Sequence, residues 1–234
     1  AVRFAARVRT GTRLRTLRTA DERLWPIYHH RPEPESNNDG VPLVFIHGFG
    51  NDGTTWLPFF EVLGNRRELV APDLPGFGRN FLTKYDDPTP TWYQSVCSSF
   101  LRELAVRWGQ PPIVIGKSMG GMVAGLVAGA LPDLVRALVL IDPGGLETPK
   151  IAPFWHEWSR GKNLLLPRDY EQWDEMVQLL YRNPSPIPGF AKREALRKIE
   201  RNRETLERIF DRLLSEGFNP LGDRLGSITC PVTV

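Results

Sequence analysis

The sequence has 234 residues, of which 41% are hydrophobic and 24% are charged, and its formal net charge at pH 7 is +3. A chain of this length and apolar content buries one substantial core and a smaller satellite domain, which excludes a disordered or fibrous protein. No run approaches the roughly 18 consecutive uncharged apolar residues that span a bilayer, so a soluble protein without a membrane span is predicted.

Charge and cysteine content restrict the partners and cofactors. The 30 lysines and arginines are interleaved with 27 acidic residues everywhere except at the start of the chain. Interleaved charges argue against the basic surface that binds nucleic acid, so no nucleic-acid partner is predicted. Cys97 and Cys230 are too few for a disulfide scaffold and too isolated for a metal cluster, so no cofactor is expected. A reducing compartment such as the cytoplasm is favoured.

The start of the chain is arginine-rich. Residues 1–20 contain six arginines and no acid, a pattern that fits an organellar targeting presequence or a basic patch. A third interpretation is favoured, in which residues 12–30 form two short strands and the arginines protect an exposed edge strand from pairing. Residue 1 is Ala1 and not Met, which leaves processing, trimming or a truncated reading frame open.

Apolar runs and helical periods alternate from residue 40 onward. This alternation is typical of strand–helix–strand units and predicts an α/β fold with a mostly parallel sheet. The predicted elements are, in order, strand 41–46, helix 56–63, strand 68–71, helix 91–108, strand 112–115, helix 119–131 and strand 137–141. The first part of the core therefore occupies residues 1–145.

The pattern changes after residue 145. Residues 146–218 have no strand signal but repeat apolar residues at helical spacing, which predicts an all-helical insertion. Residues 228–234 are β-branched again and indicate that the chain returns to the sheet within residues 219–234.

The motif G-x-S-x-G occurs at residues 116–120, directly after a predicted strand and directly before a predicted helix. This is the context of a nucleophile elbow, in which Ser118 sits in a strained turn and its hydroxyl is exposed at the carboxyl edge of the sheet. Glycine is needed on both sides because neighbouring Cβ atoms would collide with the backbone. Ser118 is therefore the candidate nucleophile.

Two backbone amides are candidate donors to an oxyanion formed at Ser118. The Met119 N–H lies at the start of the predicted helix, where the dipole favours negative charge. The second donor is expected from the loop after the strand at 41–46, which reads HGFG at residues 47–50, and the Phe49 N–H is the candidate. Losing one such donor typically raises the barrier by about 2.7–4 kcal/mol.

Five segments together resemble the lidded, single-domain branch of the α/β-hydrolase superfamily. They are the loop 47–50, Trp56, and the stretches 71–78, 116–121 and 138–143. The resemblance covers roughly residues 12–145 and 219–234. It implies an eight-stranded sheet with helices on both faces, a Ser-His-Asp triad, and a helical cap that corresponds to residues 146–218.

The resemblance also implies an activity. It is hydrolysis of an ester, thioester, lactone or carbon–carbon bond of a small apolar acyl compound, through an acyl-enzyme on Ser118. The expected substrate contacts are Gly48, Phe49, Lys117 and, in the cap, Trp155. Transfer of the acyl group to an alcohol and ligand binding without catalysis are the alternatives.

The sequence departs from the family pattern at its end. Family members carry the triad acid after the seventh strand and the base histidine after the eighth, whereas this sequence stops within the predicted seventh strand. The last strands, the acid and the base are therefore expected beyond residue 234, and this piece is expected to be nearly inactive. Asp142 is a fallback acid, because some relatives place the acid after the sixth strand.

Several motif residues also have structural interpretations. Ser118 is a possible helix N-cap, His47 is expected to shape its loop, and Asp73 is expected to form a turn. His156 in the predicted cap is an outside candidate for a base. A phosphate-binding P-loop ending at Ser118 is rejected because position 111 is Pro where that loop requires Gly. The oligomeric state is not predicted.

Overall fold

The computed structural model describes residues 10–32, 40–64, 67–147 and 153–234. Part of the arginine-rich start, residues 1–9, lies outside the described residues, as do residues 148–152 near the beginning of the predicted insertion.

One sheet of seven strands forms the centre of the fold, and its spatial order is β1-β2-β4-β3-β5-β6-β7. The strands are β1 Arg13–Arg18, β2 Leu24–His30, β3 Leu43–Ile46, β4 Leu69–Pro72, β5 Ile113–Lys117, β6 Ala137–Ile141 and β7 Val232–Thr233. The β1–β2 and β2–β4 pairs are antiparallel, and the other four neighbouring pairs are parallel. The predicted α/β class with a mostly parallel sheet is confirmed.

Helices pack against this sheet because its central strands are apolar on both faces. The helices of this part of the chain are α1 Leu57–Leu63, α2 Pro90–Trp108 and α3 Met119–Ala130. Leu43 and Phe45 of β3 pack in one buried cluster with Leu57 and Phe60 of α1. Val44 and Ile46, which alternate to the opposite face, are equally buried. Strands covered on both sides are typical of parallel sheets.

Helix α2 shows how closely sequence pattern determines an element. The Thr89 side chain accepts a hydrogen bond from the Trp92 N–H and caps the start, while Gly109 in the left-handed region ends the helix. Tyr93, Val96, Phe100 and Leu104, the predicted apolar stripe, are all buried. The predicted helix at 91–108 is confirmed to within one residue.

Strand β1 is an edge strand, as the sequence predicted for the second half of the arginine-rich start. Its side chains Arg13, Arg15 and Arg18 are exposed, while Leu17 is buried. The last strand differs from its prediction, because β7 covers only two of the residues in 228–234. The preceding residues Gly222–Ser227 form a 3-10 helix, so the chain reaches the sheet late and pairs with β6 only through Leu138 and Val139.

The chain separates into two compact units. The core unit comprises Ala1–Leu146 and Arg212–Val234, and the helical unit comprises Glu147–Asp211. Four helices cover the segment that was predicted to be helical, namely α4 Pro153–Ser159, α5 Tyr170–Leu180, α6 Gly189–Arg201 and α7 Arg203–Leu214. The buried hydrophobic residues described in the helical unit are Leu164, Leu166, Leu206, Ile209 and Phe210. Its role as a cap stays a prediction.

Among the helices of the described residues, none is both long enough and apolar enough to cross a membrane.

Candidate active site

Ser118 occupies the sharp turn between β5 and α3. Its φ of +53° and ψ of −121° lie in a region that side chains other than glycine rarely adopt, at a cost of about 1–3 kcal/mol. The Ser118 N–H donates to the Ile141 carbonyl at 2.9 Å, and the Ser118 carbonyl accepts from the N–H groups of Met122 at 3.1 Å and Gly144 at 2.9 Å. These bonds to β6, α3 and the loop after β6 hold the turn in its strained conformation.

The glycines around Ser118 are required by close backbone contacts. A Cβ at Gly120 would lie 2.5 Å from the His47 carbonyl oxygen, and a Cβ at Gly116 would lie 2.7 Å from the Gly121 Cα. Real Cβ atoms essentially never approach so closely, and backbone atoms cannot rotate away. Helix α3 can therefore approach β3 and β5 only because the motif carries glycine.

The Ser118 side chain faces the loop after β3. A Cβ built on Gly48 would lie 3.2 Å from the Ser118 Cβ and 3.7 Å from its hydroxyl oxygen. Ser118 itself is half-buried. Within the described residues its hydroxyl makes no capping hydrogen bond to α3, so the interpretation of Ser118 as a side-chain N-cap is wrong.

The two candidate oxyanion donors come from two different segments, the start of α3 and the loop after β3. Met119 is the first residue of α3, where backbone N–H groups have no partner within the helix and carry the positive end of its dipole. Phe49 follows Gly48, and its ring packs edge-to-face on Phe77 with 5.7 Å between centroids. The structure thus brings the loop at 48–49 to Ser118 and Met119, while the role of the two amides as oxyanion donors stays a prediction.

His47 is fully buried and uses both ring nitrogens in shaping the loop. Its Nε2 accepts a hydrogen bond from the Leu74 N–H at 3.0 Å. Because Nε2 accepts, the proton of the neutral ring is on Nδ1, which donates to the Gly48 carbonyl at 2.8 Å. A ring fixed in this way orients the loop next to Ser118 and is not placed to take up a proton.

Asp73 is a buried turn residue, as predicted. Its carboxylate accepts from the Gly53 N–H at 2.8 Å and the Arg79 N–H at 2.9 Å, and its carbonyl accepts from the Asn80 side chain at 2.8 Å. These bonds tie the loop after β4 to the loop after β3. The Asp73 carboxylate therefore has a structural role, which is to hold these two loops together.

The fallback acid Asp142 directly follows β6. It is exposed and has a φ of +44°, so the turn after β6 is strained like the turn at Ser118. The other two predicted site residues lie in different units. Lys117 is the half-buried last residue of β5. Trp155 lies in α4 of the helical unit, where its ring packs perpendicular to that of Trp158. The proposed roles of these three residues stay predictions.

The remaining histidines are engaged elsewhere or exposed. His29 Nε2 lies 2.6 Å from Glu68 Oε1, and the ring nitrogens of His30 lie 2.6 Å from the Thr10 and Gly64 carbonyl oxygens. His156 is exposed on α4. No hydrogen bond between described residues joins a histidine to the Ser118 hydroxyl.

The pKa of Glu68 is displaced well below its ordinary value. Burial would raise the pKa of this carboxyl, but hydrogen bonds from His29 and Trp108 and the charges of His29 and Arg31 lower it to about 2. The group lies at the end of the sheet where β4 begins and has no contact with Ser118 among those described. Sequence reasoning missed this pair because its partners are 39 residues apart.

Gly144 is a second residue that sequence reasoning missed. Its N–H donates to the Ser118 carbonyl, and a Cβ built on it would lie 3.6 Å from that oxygen. The run Asp142-Pro143-Gly144-Gly145 did provide a turn signal, but a turn signal does not reveal which residue the turn supports. Gly144 is therefore part of the structure that holds the serine.

Known proteins resemble this chain in sequence and in structure. A model of the alpha/beta hydrolase family matches residues 43–234. The biotin biosynthesis bifunctional protein BioHC of Teredinibacter turnerae is 36% identical over 116 residues, which are 48% of this chain and 19% of that protein. The human (lyso)-N-acylphosphatidylethanolamine lipase is 37% identical over 114 residues, which are 48% of this chain and 32% of that protein. The chain thus spans less than a third of the length of these curated relatives.

Among solved structures, a membrane phospholipase A described as a bacterial virulence factor superposes with a TM-score of 0.84 at 27% identity. The superposition covers 99% of this chain and 71% of that chain.

Proposed function

The chain belongs to the alpha/beta hydrolase family, and from this we propose that Ser118 attacks the carbonyl carbon of an apolar acyl ester or thioester to form an acyl-enzyme. The observation that carries the proposal is the strained φ of +53° at Ser118, held by hydrogen bonds from three segments. Strain that the surrounding structure over-determines is typical of functional sites. In the attack, the Ser118 oxygen bonds to the carbonyl carbon and loses its proton, and the carbonyl oxygen becomes an oxyanion. The oxyanion then re-forms the carbonyl as the C–O or C–S bond to the leaving group breaks, and the leaving group takes up the proton and departs as an alcohol or thiol.

The electrostatics of the turn support an oxyanion at this point. Negative charge that develops beside Ser118 lies at the N-terminal end of α3, where the helix dipole stabilises it. The Met119 and Phe49 amides are the proposed donors. Gly48 keeps the approach to Ser118 open, because any side chain there would contact the Ser118 Cβ.

An apolar acyl group fits the surroundings of the loop. Phe49 is half-exposed next to Gly48 and is held by Phe77, so it offers an aromatic surface near the nucleophile. The human relative is named a lipase, and the solved structure is that of a phospholipase A. We therefore propose that the acyl chain is apolar, with Gly48, Phe49 and Lys117 among its contacts.

Proton transfer limits the turnover of the 234-residue chain in this proposal. A serine hydroxyl is a weak nucleophile without a base, and each described histidine of the core unit is bonded elsewhere. The proposed consequence is slow acylation of Ser118. The same observation favours a second candidate, a protein that binds acyl ligands at this site without catalysis. Interception of the acyl-enzyme by an alcohol would make the activity acyl transfer.

The Ser118→Cys variant tests the site independently of a base. A thiol ionises without help near pH 8.5, and a position at a helix N-terminus lowers that value. p-Nitrophenyl butyrate should release one equivalent of nitrophenolate in a burst, and mass spectrometry should locate the butyryl group on residue 118. Wild type should acylate far more slowly at the same residue.

The Ser118→Ala variant measures the background from the native thiols. Burial raises the pKa of the Cys97 thiol, against a smaller opposing effect of the Arg23 charge, and burial also raises the pKa of Cys230. Both thiols should therefore react slowly. If Ser118→Cys reacts no faster than this background, the proposed nucleophilic site does not exist.

A further inference from the structure

Residues 181–190, here called the strap, comprise the connection after α5 and the first two residues of α6 in the helical unit. All ten residues of the strap are exposed, although they include large apolar side chains. Tyr181 is 51% exposed, Ile187 36% and Phe190 71%. Leu180, directly before the strap, is exposed to the same degree as Tyr181. Exposed apolar side chains that share one short segment mark a binding surface more often than singly scattered ones do.

The strap is held in place at its ends and stiffened in between. Lys192 forms an ion pair with Asp174, and the Arg193 Nε donates to the Tyr170 hydroxyl at 3.5 Å, which ties the start of α6 to α5. The strap itself carries Pro184, Pro186 and Pro188, whose rings fix φ and restrict the residues before them to extended backbone. Its apolar side chains are thus presented without a large loss of entropy on binding.

The strap does not close fully onto the helix beneath it. A cavity of about 220 Å³ lies between the strap and α5, and its lining includes Trp173, Val177, Pro184 and Ile187. Apolar side chains of the strap therefore line a space that the helical unit does not fill.

The strap and α6 also carry more basic than acidic residues, although Lys192 is paired with Asp174 of α5. Residues 181–201 include six basic residues and two acidic residues. The basic residues are Arg182, Lys192, Arg193, Arg197, Lys198 and Arg201, and the acidic residues are Glu194 and Glu200. Apolar side chains together with surrounding cations are the composition that binds the interface of an anionic bilayer, where the apolar groups enter the acyl boundary and the cations contact phosphates.

We propose that the strap and the first turns of α6 bind the surface of an anionic phospholipid bilayer. Phe190 and Tyr181 enter the interface, and Arg182, Arg193 and Arg197 contact the headgroup phosphates. Surface binding of this kind needs no helix that crosses the membrane. The proposal does not depend on chemistry at Ser118, because binding is measured without turnover.

Co-sedimentation with vesicles tests the proposal on the 234-residue chain. Wild type should bind mixed phosphatidylcholine and phosphatidylglycerol vesicles better than pure phosphatidylcholine vesicles, and about 1 M salt should weaken the binding by screening. The double variant Phe190→Ser and Tyr181→Ser should lose roughly tenfold or more of its partitioning, since two large apolar side chains no longer enter the interface.

Matched variants in the core unit serve as controls. Phe81 and Tyr85 are a Phe and Tyr pair with exposures of 79% and 84%, so Phe81→Ser with Tyr85→Ser removes aromatics elsewhere that are more exposed than those of the strap. For charge, Arg182→Glu with Arg197→Glu is compared with Arg13→Glu and Arg102→Glu, which change the net charge equally at exposed sites. Circular dichroism and thermal unfolding establish that each variant is folded.

Binding by the strap variants and by the control variants decides whether the strap binds the bilayer. Loss of binding in the strap variants with binding retained in both controls supports the proposal. It is overturned if wild type binds neither kind of vesicle, if the control variants lose as much binding, or if binding ignores phosphatidylglycerol and salt. It is also overturned if the strap variants only change self-association measured by sedimentation, because the strap would then contact a second copy.

Discussion

The core unit and the helical unit differ in how many of their helical residues are buried. In α3 of the core unit, ten of the twelve residues are buried, and glycines allow backbone contacts that no side chain would permit. In α5 and α6 of the helical unit, every residue is described and none is buried. Dense packing holds one serine in a strained conformation, whereas α5 and α6 of the helical unit leave all their residues at least partly exposed. Precise backbone geometry is thus enforced where a single side-chain atom must be placed.

The largest expected effect is the loss of a core side chain. Phe100 of α2 is buried and packs on Trp25 with 4.6 Å between ring centroids. Phe100→Ala should lower the free energy of unfolding by about 3–5 kcal/mol, because the cavity cannot collapse. Phe190→Ala in the strap should change it by less than about 0.5 kcal/mol. Urea unfolding measures both, and similar losses would remove the contrast between the units.

Substitutions of one glycine in each unit should have opposite effects on stability. Gly120→Ala places a Cβ against the His47 carbonyl and should destabilise the protein by about 1–3 kcal/mol or more. At Gly189, the first residue of α6, a Cβ would meet nothing within 4 Å, so Gly189→Ala should be neutral or stabilising by up to about 1 kcal/mol. Thermal unfolding of the two variants checks the difference in sign.

The pH dependence of stability reports the Glu68–His29 pair of the core unit. The folded-state pKa of Glu68 is lowered to about 2 from an ordinary value of 4.5, so the pair stabilises the protein above pH 4.5. That stabilisation is lost progressively as the pH falls from about 4.5 to about 2.

Glu68→Gln should accordingly lower the unfolding free energy at pH 7 by about 1–2 kcal/mol and match wild type near pH 2. Asp133→Asn, at an exposed site, is the control and should show no such difference. Urea titrations at a series of pH values provide the measurement. A constant gap between Glu68→Gln and wild type across this range would contradict the assignment.

The smallest effect is a gain in stability at the candidate nucleophile. Ser118→Gly removes a side chain from a φ of +53° and should raise the unfolding free energy by about 1 kcal/mol, after the greater freedom of glycine in the unfolded chain is subtracted. The same change should abolish acylation. Ser118→Ala keeps the Cβ and should not be stabilised, so the two variants separate strain from loss of the hydroxyl.

Sequence predicted the elements of the core unit well because their signals are local. The strand and helix around Ser118 agree with their predicted bounds to within two residues, since a β-branched run and a glycine-rich helix flank an unmistakable turn. From the sequence alone, the close contacts of α3 were indicated only by its many small residues. The partners, the carbonyls of Ile46 and His47, depend on β3 lying beside β5 in the sheet.

The remaining features depend on long-range pairing or on surface exposure. The His29–Glu68 pair and the Gly144 hydrogen bond join residues far apart in sequence, and no local pattern encodes them. In the helical unit, the helices were predicted from apolar spacing, but the exposure of the strap was not. A proline-rich stretch with apolar residues fits a packed loop as well as an exposed one.

We propose that Ser118 and two backbone amides form an acylation site. A crystal structure of the Ser118→Cys variant carrying its butyryl thioester would show whether they do. The thioester carbonyl oxygen should lie about 2.7–3.1 Å from the Met119 and Phe49 nitrogens. A carbonyl oxygen that points into solvent, or an acyl group found on Cys97 or Cys230, would rule out the proposed site.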